Sequence, residues 1–493
     1  MLYKKSIPQL VQEAEASGEG TLKRTLTSYH LVALGIGAII GAGLFSLTGI
    51  AAADNAGPAV TLSFILAAVG CGFAGLCYAE FASMIPVAGS AYTYSYATMG
   101  EFVAWVIGWD LVLEYALGAA TVAVSWSQYV NEFLGDFGLH IPPQLMAGPW
   151  EPSNPEGIIN LPAIIIIVLL SLLLMRGTEE SSFFNNILVV LKVAVVLVFI
   201  SLGWQFINPA NHSPFIPPNE GETLLKSGQM GFFDFMKSEY FGHYGISGIM
   251  RAAGVVFFAF IGFDAVSTAA QEAKNPQKSM PIGIIGSLVI CTLLYVLFSY
   301  VMTGLEHYTK FAHDAKPVAT AFAVTGYTFL NTLLTVAIIC GYTSVMLVML
   351  LGQSRVFYTM SKDGLLPKFF SDLSKKRTPW KTNAVFMVFV SIFAGFVPIS
   401  DLGHMVSIGT LFAFSLVCIG VIILRKKQPE LNRPFRTPLV PLIPILGIII
   451  CVALMASLPL ESWERLAIWM AIGIAIYFGY SKKNSHVRRE ADQ

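Results

Sequence analysis

Hydrophobic residues do not alternate along this chain, and they rarely recur at the spacing of a one-faced helix. They come in long, unbroken runs. No Asp, Glu, Lys or Arg occurs in 25–53, 55–79, 193–219, 279–305, 317–354, 382–400, 402–424 or 437–460. Shorter uncharged runs cover 115–131, 158–175, 252–263 and 466–481. A bilayer-spanning helix needs about 20 mainly apolar residues. With loops allowed for, the runs predict twelve helices. They centre near 30–53, 58–83, 101–128, 158–175, 183–204, 250–270, 282–304, 331–357, 383–397, 402–424, 440–456 and 465–480. The runs are too long and too uniform for strands of a barrel. The fold class is therefore an all-α integral membrane protein.

Composition agrees and excludes other classes. Of 493 residues, 55% are hydrophobic and only 12% charged, far from the roughly 25% charge of soluble domains. The 30 basic and 30 acidic residues cancel, so no basic field invites nucleic acid. The six cysteines sit inside apolar runs without metal or redox spacing and read as small buried hydrophobes. The histidines are scattered, and no HExxH, GxSxG or Walker sequence occurs. No metal, no cofactor and no enzyme chemistry is predicted. No filter or ring of charge suggests a channel. The polar N-terminus has no short apolar core of a cleaved signal peptide.

Charge distribution sets the orientation. With both termini in the cytoplasm, 23 Lys and Arg fall inside and six outside, with Lys192 left in a span. The positive-inside rule then places the N-terminus in the cytoplasm. The expected organisation is a cytoplasmic tail at 1–27, helices 1–5 over 28–204 and an extracellular loop over 205–247. Helices 6–10 follow over 248–424, helices 11–12 over 425–480 and a cytoplasmic tail over 481–493. The plasma membrane is the expected location, and the basic inner loops favour anionic lipid.

Two spans carry breaks. The first reads Gly35-Ile-Gly-Ala-Ile-Ile-Gly-Ala-Gly43. Glycines there serve close helix packing, or they let the helix unwind. Unwound backbone at mid-membrane is tolerated only where it lines a protein or water cavity. Its freed N–H groups suit a carboxylate, and its freed carbonyls suit an ammonium. The sixth span has Phe260-Ile-Gly262-Phe-Asp264 at a matching place in a second set of five helices. Paired interruptions of this kind point to a transporter with inverted repeats and a midplane site.

Three charges lie in or beside spans. Lys192 is alone in its apolar helix. Such burial costs at least about 2.5–3.5 kcal/mol and marks function by default. Glu114, one turn from Asp110, is a second candidate, either for proton coupling or as a cap or bridge between helices. Glu80 ends the second helix, as a gate or an interface charge.

Several stretches resemble one family. They are the glycine-rich first helix, Tyr78-Ala-Glu-Phe-Ala, Pro86-Val-Ala-Gly-Ser-Ala-Tyr-Thr-Tyr and Gly108-Trp-Asp-Leu-Val-Leu-Glu-Tyr. Further ones are Phe260-Ile-Gly-Phe-Asp264, Glu272-Ala-Lys-Asn-Pro276, the run from Arg355 to Pro367, and Arg433-Pro-Phe-Arg436. Together they cover roughly residues 28–456 and resemble the amino acid–polyamine–organocation (APC) superfamily, in its cationic amino acid transporter branch, as a bacterial member.

That resemblance implies a LeuT-like fold of two inverted five-helix repeats, with substrate between broken helices 1 and 6. It implies that the substrate ammonium meets the carbonyls of Ile39, Phe258 and Ile261. The carboxylate would meet the N–H groups of Gly41, Ala42 and Gly43, with Ile40 and Ala259 completing the contacts. Phe258 would be an outer lid and Glu272 part of a cytoplasmic gate. Lys192 would take the place of a structural sodium and link helices 1 and 5 to proton movement, and the leading expectation adds Glu114 as its coupled partner. Met349 stands where cationic members carry a small polar residue. It offers no strong acceptor for a charged side chain. The expectation is proton-coupled symport of small neutral amino acids such as alanine. An exchanger (antiporter) of cationic or neutral amino acids and a non-transporting sensor are the alternatives. The expected partners are an amino acid and lipid, sterol-like or anionic. An oligomer or small membrane subunit on helices 11–12 is also open.

Overall fold

Backbone polar groups cannot be left bare in hydrocarbon, so the apolar runs become helices. The computed structural model describes residues 3–5, 26–85, 90–176, 181–268, 270, 273–312, 314, 316–374 and 378–491. Among these there is no strand, only two isolated bridges, Leu26 with Ala273 and Met146 with Asn160.

Every predicted segment holds helix. The first is α1 (Ser28–Ile39) followed, after a break, by π and α turns from Gly43 to Ala56. Next come α2 (Val60–Met84), the short α3 (Ser90–Thr98) and α4 (Glu101–Gly135). Then follow α5 (Leu161–Arg176) and α6 (Ser181–Gly203). The sixth segment is α7 (Gly245–Val256), a 3-10 turn over Phe257–Phe260, a break, and α8 (Ala265–Thr268). The rest are α9 (Pro276–Leu305), α10 (Thr328–Lys362), α11 (Trp380–Phe396), α12 (Ile399–Lys427), α13 (Leu442–Ser457), α14 (Leu460–Ile476) and α15 (His486–Ala491). Seven helical stretches among the described residues are long and apolar enough to cross a membrane. The helices after Leu442 bend by 111° between Ser457 and Leu460. The protein is a multi-pass membrane protein.

The packing encloses the broken segments. α9 lies along both α1 and α2, α10 packs on α4, and α12 packs on α13. Residues turned outward on α6, α9, α13 and α14 are large and apolar, among them Val190, Leu293, Ile449 and Ile468. In water they would be a liability; in a bilayer they face acyl chains. All six cysteines are free thiols, and all but the half-buried Cys340 are buried.

Polar ties hold the bundle ends. Glu80 receives Arg425 bidentately at 2.8 Å and 2.8 Å, the Thr437 amide at 2.8 Å, and stands 3.3 Å from the Arg433 guanidinium. Of the readings left open for Glu80, this geometry is an interface charge joining α2 to the end of α12 and the segment after it. Glu101 accepts from Arg488 at 2.7 Å, from Tyr477 at 2.9 Å and from Ser485. Its amide donates to the Tyr3 carbonyl at 2.9 Å, and the Arg488 guanidinium lies 4.3 Å from the Tyr3 ring. The two ends of the chain therefore meet at one end of the bundle. α14 is not a bystander, because Trp469 stacks on Trp109 of α4 at 4.6 Å.

Candidate substrate and coupling site

The first break falls at Ile40, which is extended (φ −72°, ψ 106°). The helix restarts at Gly41, whose carbonyl accepts from Leu44 at 3.1 Å and Phe45 at 3.2 Å. Ala42 and Gly43 thus occupy the first turn, where N–H groups have no intrahelical partner. The second break runs through Ile261 (φ −61°, ψ 139°) and Gly262, at φ +109°, a left-handed value that favours glycine. Both sequence-predicted interruptions are present.

The two breaks touch. A Cβ placed on Gly43 would sit 2.6 Å from the Cβ of Ala259 and closer still to its backbone. One placed on Gly262 would sit 2.9 Å from the Ala38 carbonyl oxygen. Beyond the breaks, the Lys274 amide donates to the Leu26 carbonyl at 2.9 Å. Ile39, Ile40, Gly41, Ala42, Gly43, Phe258, Ala259 and Ile261 are all buried and gather at this crossing.

Two of the three carbonyls expected to meet an ammonium already hold one hydrogen bond. Ile39 accepts from the Tyr295 hydroxyl at 2.9 Å, and Phe258 from the Ile261 amide at 3.2 Å. A carbonyl has a second lone pair, so both keep acceptor capacity. Tyr295 also lies 2.9 Å from the Ala259 carbonyl, so one hydroxyl on α9 spans both broken segments. Its sequence surroundings mark it as nothing more than a core aromatic.

Lys192 is 1% exposed, so its ammonium does not reach an interface. It donates to the Gly37 carbonyl at 2.7 Å, in the last turns of α1. A Cβ on Gly341 of α10 would meet its stem at 3.1 Å. Lys192 thus joins α6 to α1 and α10. Glu114 is not beside it. Its neighbours are Asp264, Asp110 and Thr410. Glu114 lies in a π turn, Leu113–Leu117, inside α4, a distortion common at functional sites.

One stripe of α10 faces all of this. Gly341 meets Lys192, Val345 is 3.4 Å from a Cβ position on Gly41, and Met349 Sδ is 3.0 Å from one on Gly118 of α4. The spacing of four puts these on one helix face. Met349 is buried, on the face that meets the first break, and not against lipid. Ser46 and Tyr342 bond at 2.9 Å just beyond, and Tyr129 donates to the Phe45 carbonyl at 2.9 Å. The gate expected at Glu272 lies outside the described residues.

Comparison with known proteins shows the family. The amino acid permease family profile matches residues 26–477. The branched-chain amino acid permease BcaP of Bacillus subtilis is 45% identical over 487 residues, covering 99% of this chain and 98% of that protein. The methylthioribose transporter of Bacillus subtilis is 42% identical, covering 94% and 95%. The vacuolar cationic amino acid transporter 2 of Arabidopsis thaliana is 38% identical, covering 87% of this chain and 64% of that protein. The chain belongs to the amino acid permease family of the APC superfamily and is a membrane transporter, not an enzyme.

Proposed function

We propose that this protein is a proton-coupled symporter of neutral L-amino acids, with alanine at the small end of its range and cationic amino acids excluded or weak. The observation that carries the reading is the crossing of the two broken segments at Gly43 and Ala259, with Lys192 hydrogen-bonded beside it. The substrate carboxylate takes the amides of Gly41, Ala42 and Gly43. Its ammonium takes the remaining lone pairs of Ile39, Phe258 and Ile261, with Phe258 as lid. Protonation of Lys192 decides whether α1 is held to α6. A fixed ammonium in that position leaves no role for sodium.

Met349 supports neutral over cationic side chains, since a thioether pairs poorly with a buried cation. The name of the 45% identical relative supports branched-chain substrates as a second reading. Under this proposal the chain crosses the plasma membrane twelve times, with α1–α6 and α7–α12 as inverted repeats and both termini cytoplasmic. α13 and α14 contact lipid, a second copy or a small subunit.

The test is uptake of labelled alanine and leucine into proteoliposomes with an inward proton gradient and no sodium. Methylthioribose serves as competitor, because of the second relative. Wild type should accumulate substrate above equilibrium and lose this with a protonophore. Lys192→Ala should lose accumulation and keep exchange. Exchange without any accumulation makes the protein an antiporter, and binding without flux makes it a sensor.

A further inference from the structure

Three carboxyls are buried away from Lys192: Asp110, Glu114 and Asp264, each at most 1% exposed. Asp264 directly follows the break in the sixth segment and precedes α8. Its Oδ2 accepts from the Tyr115 hydroxyl and, at 3.3 Å, from Ser90. Its Oδ1 has no donor, and neither oxygen of Glu114 or Asp110 has one. The Tyr78 hydroxyl, fully buried and also without a partner, is within electrostatic reach of both Glu114 and Asp264. Tyr94 faces Asp264 from α3, and Thr410 faces Glu114 from α12.

Two neighbouring carboxylates are acceptors only and repel. One proton between them turns the same pair into a donor and an acceptor. Glu114 and Asp264 are such neighbours from different segments, since Asp264 is held by the hydroxyl of Tyr115, the residue next to Glu114. We propose that Glu114 and Asp264 form one proton-binding unit, a carboxyl pair sharing a single proton between α4 and the α8 half of the broken segment. Asp264 is the anchored member, fixed by Tyr115 and Ser90 through one oxygen and leaving the other free. Glu114 is the mobile member, set on the π turn. With the proton in place, an O–H···O bond ties α8 to α4. When it leaves, the two charges push α8 away and free the broken segment to move. Asp110, one helical turn before Glu114, is the next acceptor for the departing proton. The pair titrates as a unit, so neither residue alone owns the proton.

This rests on the proton-coupled reading above, and the experiment separates the two. Asp264→Asn and Glu114→Gln each replace the shared proton with an amide N–H that cannot leave. Each should lock the bridge while keeping fold and pocket. Purified wild type should show, by infrared difference spectroscopy across pH, the carbonyl band of a protonated carboxylic acid. Either single substitution should remove that band. Substrate binding should stay near the wild-type level, while exchange in proteoliposomes slows because the locked bridge holds the broken segment. Proton-driven accumulation should fall by about tenfold or more, and the double variant should be no worse than either single one, as for residues acting as a unit. Asp264→Asn with wild-type accumulation, or a band that survives it, overturns the pair. So does accumulation that follows a sodium gradient and not a proton gradient. If wild type fails to accumulate on any gradient, the symport reading falls by itself, and the band alone decides the pair.

Discussion

Gly43 and Gly72 sit in neighbouring segments and face opposite fates on gaining one carbon. A Cβ on Gly43 runs into the Ala259 backbone, whereas one on Gly72 meets nothing within 4 Å. Backbone cannot rotate out of the way as a side-chain tip can. Gly43→Ala should therefore part the two breaks and cost about 1–3 kcal/mol, the usual penalty of overpacking. Gly72→Ala should be neutral or slightly stabilising, since alanine is the better helix former. Substrate-binding isotherms and thermal unfolding of both variants check this, and equal behaviour would sink the close-contact account. Legibility at this scale was uneven. Lys192 and the glycines stood out because a membrane penalises charge and unwound backbone. Tyr295 did not, since nothing local separates a bridging tyrosine from the aromatics beside it. Asp264 was visible as a letter, but its partner lies about 150 positions earlier, and no spacing rule links the two.

At the scale of elements, the face of α10 carrying Gly341, Val345 and Met349 does three jobs in three turns. It leans on Lys192, then on the first break, then on Gly118. Shortening Met349 should leave the first two contacts intact and open space toward α4. Met349→Ala is expected to shift preference from alanine toward leucine and bulkier neutral side chains. A pocket changes affinity by roughly 1–3 kcal/mol per methylene, so competition assays should resolve it easily. An unchanged alanine-to-leucine ratio would mean that Met349 is only filling. In the sequence Met349 stood out only through the family resemblance. What its helix face meets was not readable, because the partners come from α4, α6 and α1, distant in the chain.

At the scale of the molecule, the helical segments followed from hydropathy and the two breaks from their glycines, since the bilayer permits few alternatives. The joins between distant elements did not. Glu80 read as either gate or interface charge, yet it holds Arg425 at the end of α12 and, from the segment after it, Arg433 and the Thr437 amide. Removing its charge strands the buried Arg433, and losing one partner of a buried pair costs about 3–5 kcal/mol. Glu80→Gln should lower the thermal midpoint in detergent markedly, while charge changes at exposed Lys226 should not. If Glu80→Gln melts like wild type, the cluster is incidental to stability.

The meeting of the two ends at Glu101 has a meaning in time. Arg488 follows Glu101 by 387 positions, so at ordinary rates the ribosome needs roughly 20–80 s to supply the missing cation. Throughout that interval a carboxylate bound for a buried place waits uncompensated beside Tyr3. A nascent chain can thread every helix and still be unfinished at this one spot. Termination before Arg488 leaves that charge with hydroxyl donors and no cation. The clasp therefore closes only in chains that reach Arg488.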